Sequence, residues 1–185
     1  YLLLAPPDAA WRELTKKVLG DRAREHTRYA IKKEGDCFDP GRLRALVETL
    51  PAGITLSRIH GELYGKCLKE EWSRDLVSCF PSCEAYEAMG LGVAAFRGNE
   101  LLAGASSYAR SRDAIEIEID TREDMRNRDL ASACGAALIL ECLERGLYPS
   151  WDAHTEISAA LAEKLGYHVS HPYVVYEVEA DKGPV

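Results

Sequence analysis

Three acids at alternate positions carry the most chemistry in this sequence. They are Glu116, Glu118 and Asp120 in the run AIEIEID, interleaved with Ile115, Ile117 and Ile119. In an extended strand that spacing sends the carboxyls to one face and the isoleucines to the other. Acids on a strand with neighbours on both sides need a polar cleft above them, because burying an unpaired carboxylate is costly. The pattern fits best a general base that takes a proton from an amine, the alternative being a row of acids in a shallow wet groove.

Immediately downstream, the charged loop TREDMRNRD leads into the apolar helix LASACGAALILECLER. The first turn of a helix offers unpaired backbone amides and the positive end of the helix dipole, which together form an anion site. Arg122, Arg126 and Arg128 are balanced there by Glu123, Asp124 and Asp129, so the side chains contribute no net charge.

The elements around these residues follow from periodicity and caps. Residues 7–19 read as an amphipathic helix with Asp8 as N-cap, Leu14 and Val18 on one face and Gly20 as the stop. A short strand over 27–34 and a helix started by Asp39 and Pro40 complete an N-terminal segment, 1–52, that reads as scaffold. From residue 53 the order is a strand at ITLSRI, helical pieces up to CEAYEAM, then three strands joined by short turns, which require an antiparallel meander. The apolar helix, a strand at YPSWDA, a helix at EISAALAEKLG and a long final strand close the chain. A meander followed by a βαβ crossover predicts an α/β fold with a central mixed sheet, helices on both faces and 114–120 as a central strand.

Composition bounds the function. The 185 residues are 46% hydrophobic and 29% charged, ordinary for a globular protein, and the formal net charge of -7 argues against a nucleic-acid partner. No apolar stretch reaches the ~20 residues of a membrane helix and the opening YLLLAPP lacks a charged n-region, so the expectation is a cytoplasmic protein. The chain opens at Tyr1 rather than methionine, which reads as a trimmed chain or part of a longer protein. The six cysteines are expected as reduced thiols, and Cys79 and Cys83, spaced CxxxC without a second pair, make a poor metal site; no metal is expected.

Two stretches resemble a known family. The run IEIEIDTREDMRNRDLA resembles the acyl-CoA pyrophosphate loop of the GNAT N-acetyltransferases, with its pattern R/QxxGxG/A, and WDAHTEISAALAEKLGY resembles their following βα segment. EIEIDTRED with LILECLERGLYPSWDA is similar to the subfamily that includes zwittermicin A resistance proteins. The resemblance runs from about Trp11 to Glu177 and implies a GNAT domain over 53–185 and acetyl-CoA as cosubstrate. Arg126 takes the first loop position and Ala131 the last, so the amides of Asn127, Arg128, Asp129, Leu130 and Ala131 are expected to hold the pyrophosphate. The backbone of Ile117 and Ile119 is expected to bond the pantetheine arm and acetyl carbonyl, with Glu116 or Glu118 as the base.

The sequence departs from the family pattern at three places. Asp129 stands where the pattern has its central glycine, and a carboxylate ~4 Å from a phosphate costs ~4 kcal/mol at an effective dielectric of ~20 unless Arg126 or Arg128 pairs with it or it turns to solvent. Thr155 stands where the family often has a cofactor-bonding asparagine, with Ser158 nearby as a small hydroxyl. Ala162 stands where the family often has the tyrosine that protonates the thiolate, which leaves Tyr173 and Tyr176 as candidate acids. Trp151, Asp152 and His154 are placed to line the amine pocket. The implied reaction moves acetyl from acetyl-CoA to a primary amine of a small molecule or peptide by direct attack in a ternary complex, since none of the cysteines lies in the motif strand or loop. The alternative is a catalytically impaired domain that binds CoA or serves interactions.

Overall fold

The computed structural model describes residues 2–178. Helix α1 (Ala9–Leu19) starts where Asp8 accepts a hydrogen bond from the Trp11 amide and stops at Gly20, whose φ of 52° falls in the region that favours glycine. Helix α2 (Pro40–Glu48) is capped by Asp39, which accepts from the amides of Gly41 and Arg42, with proline in the first turn. Both starts follow the caps expected from the sequence. The expected apolar face of α1 is not buried: Leu14 and Val18 are exposed, as is Trp11.

The strands form two sheets. One carries β3 (Thr55–Arg58), β4 (Gly92–Arg97), β5 (Glu100–Arg110), β6 (Ala114–Thr121) and β7 (Tyr148–Ser150) in the order β3-β4-β5-β6-β7, antiparallel except for the parallel pair β6 and β7. This is the mixed sheet the meander and crossover require. The other holds β1 (Leu2–Leu4), β2 (Ala23–Ile31), β8 (Asp152–Ala153) and β9 (Val169–Val178) in the order β1-β9-β2-β8, all antiparallel. One expectation is corrected here: the run YPSWDA is two short strands in different sheets, not one. The long final strand lies between β1 and β2 in the second sheet.

Helices cover both faces of the mixed sheet. Helices α3 (Glu62–Lys69) and α4 (Cys83–Met89), with the 3-10 turn Glu71–Leu76 between them, bury Tyr64, Leu76 and Tyr86 against Ala94 and Phe96. On the opposite face α2, α5 (Leu130–Glu144) and α6 (Glu156–Leu165) bury Leu43, Leu138, Ile139 and Leu165 against Ile115 and Ile117. Cys134 and Cys142 lie wholly buried within α5, where burial pushes each thiol up to about 12.

One polar knot fixes the register beneath β6. Tyr86 and Ser106 share a buried hydrogen bond of 2.7 Å, and Ser106 is the cross-strand partner of Glu118. Gly92 faces the knot: a Cβ there would lie 2.1 Å from Tyr86 Oη and 2.9 Å from Ser106 Oγ. Gly92→Ala is therefore expected to cost about 2 to 3 kcal/mol, an overpacking penalty, in denaturant unfolding. An unchanged midpoint would show that the knot yields freely.

Candidate functional site

The ladder of β6 opens partway along its length. The Tyr148 amide donates to the carbonyl of Asp113 at 2.8 Å, and in a strand the alternation then points the backbone groups of Ile115, Ile117 and Ile119 towards the β7 side. Strand β7 ends at Ser150, opposite Glu116. The next residues turn away to form β8, where Ala153 and Asp152 pair with Tyr29 and Ala30 of β2. The Ile117 amide still meets the Ser150 carbonyl, as the parallel register of Glu116 with Ser150 requires, and the Ile119 amide bonds the Glu118 carboxyl. The Ile117 carbonyl and the backbone of Ile119 lie beyond the end of β7, on an edge with no strand partner, while both side chains point to the core face.

Glu116, Glu118 and Asp120 lie on the other face, each partly buried. Burial raises the Glu116 carboxyl, while a hydrogen bond with Ser150 and the charges of Lys33 and Arg28 pull it back. Burial, with the neighbouring charges of Asp120 and Asp75, pushes Glu118 up to about 7, and burial with Asp75 pushes Asp120 up to about 6. Asp75 belongs to the 3-10 turn below β6, and nothing in the sequence pattern places it there.

Where the sheets part lies a cleft of about 350 Å³, lined by Ile31 at the end of β2, Lys33 just after it, Glu116 of β6, Ser150, Trp151 and Asp152 of the β7 to β8 seam, and Tyr173 of β9. Asp152 is held from two sides: Arg28 Nε donates to one oxygen, Arg28 also reaches its carbonyl at 3.2 Å, and Tyr173 Oη donates to the other oxygen at 2.5 Å. Trp151 is buried edge-on against Tyr167 at 5.5 Å. His154 stands outside the cleft, exposed and against His26. Tyr176 lies elsewhere too, donating to Glu25 at 2.7 Å.

The loop beyond β6 reaches α5 through two residues with positive φ, Asn127 at 58° and Asp129 at 59°. Left-handed backbone favours glycine, and among other residues aspartate and asparagine enter it most readily, so Asp129 takes a conformation a glycine would take. Its carboxylate pairs with Lys164 Nζ of α6 at 2.5 Å, not with Arg126 or Arg128 as the sequence suggests. Those two arginines are exposed and make no ion pair among the described residues. The first helical bond of α5 to Asp129 comes from Ala133, so the amides of Leu130, Ala131 and Ser132 have no acceptor within the helix. Thr155 caps α6, its hydroxyl accepting from the Ser158 amide at 3.1 Å, and Ala162 is buried in the core.

The GNAT acetyltransferase family description matches residues 1–176, and the chain belongs to that family of acyltransferases. It is 27% identical over 174 residues to the uncharacterized N-acetyltransferase YdfB of Bacillus subtilis, covering 90% of this chain and 62% of that protein, so it spans less than two thirds of this relative's length. A GCN5-related N-acetyltransferase-like protein of Streptococcus suis is 50% identical, with a TM-score of 0.91 over 96% of this chain and 71% of that one. A putative GNAT-family acetyltransferase of Novosphingobium aromaticivorans shares the fold at 16% identity, with a TM-score of 0.58 over 97% of this chain and 74% of that one.

The loop geometry sets an expectation for anion affinity. Asp129→Gly and Asp129→Asn both keep a residue that accepts positive φ and both remove the charge facing Lys164, so each is expected to tighten acetyl-CoA binding about tenfold, less in high salt. Asp129→Ala lacks that conformational tolerance and is expected to lose about 1 kcal/mol of stability instead. Calorimetric titration and thermal unfolding of the three variants check both. Equal affinity in all of them would place the Asp129 charge outside the reach of the bound phosphates.

Proposed function

We propose that this GNAT acetyltransferase moves acetyl from acetyl-CoA to a primary amine by direct attack within a ternary complex. The observation that carries the reading is the coincidence of Glu118, a carboxyl poised near neutrality, with the unpaired edge of β6 beside it. The residues present suit an anionic thioester: an open strand edge for its amide-bearing arm, and unpaired helix-start amides with Arg126 and Arg128 for its phosphates. Acetyl-CoA supplies the activated acetyl thioester. The strings EIEIDTRED and LILECLERGLYPSWDA support a place beside the zwittermicin A resistance proteins.

The chain's own groups then divide the work. In this reading the Ile117 carbonyl accepts from the arm, and the Ile119 amide exchanges its bond to Glu118 for the acetyl carbonyl oxygen, which gains negative charge as the amine nitrogen attacks. Glu118 takes the proton that the amine must lose for the new C–N bond to persist; as the C–S bond breaks, the thiolate takes a proton and leaves. Glu116 favours a cationic amine in the cleft it lines, and Glu118, two residues along the same face of β6 and titrating near 7, is partly ionised at neutral pH. Asp129, with its charge met by Lys164 and its backbone in the glycine-like conformation, weakens the case for an impaired domain.

The raised Glu118 carboxyl works only when deprotonated, so kcat/KM should climb with pH through about 7 and fall away below it. Glu118→Gln is expected to lower kcat/KM by about 100-fold or more and to abolish this limb, whereas Glu116→Gln keeps it. Because the folded-state value lies above the ordinary 4.5, ionising Glu118 costs stability as pH rises from 4.5 through about 7, a loss the glutamine variant escapes. pH–rate profiles of the three proteins decide the assignment: an unaltered limb in Glu118→Gln would move the base elsewhere.

A further inference from the structure

The cleft where the two sheets part is electrically lopsided in a way the acetyl-transfer chemistry alone does not need. Its acids are not equivalent. Asp152 already has its charge met by Arg28 and a bond from Tyr173, whereas Glu116 makes no ion pair among the described residues and is the acid with the greater demand for an ammonium. Its cations are not equivalent either. Arg28 is spent on Asp152, and the His171 ring is bonded to Ser170 at 3.0 Å. Lys33 makes no ion pair among the described residues, yet it lines the same cleft and its charge reaches Glu116.

A plain amine would gain from Glu116 and be repelled by Lys33; a molecule with an anionic group a few bonds from its amine gains from both. The volume, about 350 Å³, is near the lower end of small-molecule sites and suits a compact acceptor rather than a folded polypeptide. Ile31 and Trp151 offer apolar surface between the two charged ends. We infer that the acceptor is a free amino acid, held with its amino group towards Glu116 and its carboxylate towards Lys33. This rests on the acetyltransferase reading above and gives its acceptor a chemical class: Lys33 selects the carboxylate, Glu116 receives the amine, and Asp152, its charge met by Arg28, shapes the wall.

The test measures thiol release with the purified protein at saturating acetyl-CoA. The acceptors are the standard L-amino acids and, paired with them, amines lacking the carboxylate: phenethylamine for phenylalanine, isopentylamine for leucine, cadaverine for lysine. At least one amino acid should be acetylated with a kcat/KM about tenfold or more above its decarboxylated partner. Lys33→Ala should raise the KM for that amino acid about tenfold and collapse the preference. Lys33→Glu should reverse it. Calorimetry with acetyl-CoA on the same variants should give the wild-type dissociation constant, which separates loss of the acceptor site from loss of the fold. Decarboxylated amines turned over as well as the amino acids, a preference that survives Lys33→Glu, or acetyl-CoA binding with no amino acid acetylated would each overturn the inference while leaving acetyl-CoA use intact. Failure of the wild-type chain to bind acetyl-CoA would overturn the acetyltransferase reading as well.

Discussion

Beyond Glu116, strand β6 has a hydrogen-bonded neighbour on one side only, and the rest of the site depends on that gap. A strand inside a sheet normally fills both edges, because an unmet backbone amide or carbonyl away from water is expensive. Here the partner is drawn off: β2 captures Asp152 and Ala153, and Arg28 of the same strand locks Asp152 by side chain as well. The competition between two sheets for one short seam leaves the end of β6 without a strand partner, its backbone open to solvent, a ligand or its own Glu118 side chain. A strand edge left open in mid-molecule, beneath helices on both faces, is a recognition surface built from backbone alone.

The same gap explains the electrostatics. With no strand on its β7 side, the far half of β6 holds its acids in a partly dry space shared with Asp75, where burial and mutual repulsion act in one direction and favour the protonated forms. The fold tolerates this because the opposite face of β6 is strongly apolar: Ile115 and Ile117 pack beneath α5 with Leu138 and Ile139. Stability is gathered on one side of the strand and given up on the other, as is common where a fold carries a reactive site.

Much of this was legible in the residues. The alternation from Ile115 to Asp120 marked the strand and its two faces, Asp8 and Asp39 marked helix starts, and the short turns at Gly98 and after Arg110 marked the meander. What stayed hidden depended on distant partners. YPSWDA reads as one strand because the pairing of its second half with β2, more than a hundred residues earlier, leaves no local trace. Leu14 and Val18 have the spacing of a buried face, and periodicity alone does not reveal whether anything covers it. Lys164, Asp75 and Lys33 sit outside any motif, so only the folded chain brings them to the loop, the acids and the cleft.

The left-handed backbone at Asp129 also bears on how such a loop drifts over generations. Glycine, aspartate and asparagine are the residues that occupy this conformation most comfortably, and aspartate lies a single base change from each of the other two in its codon. Mutation can therefore pass among them while the loop keeps its shape, altering only the charge presented beside the helix start. Lys164 gives the aspartate form a counter-charge on a neighbouring helix, so a lineage can hold that form without dismantling the loop. A motif written with an obligatory glycine would overlook such lineages, although their backbone traces the same path.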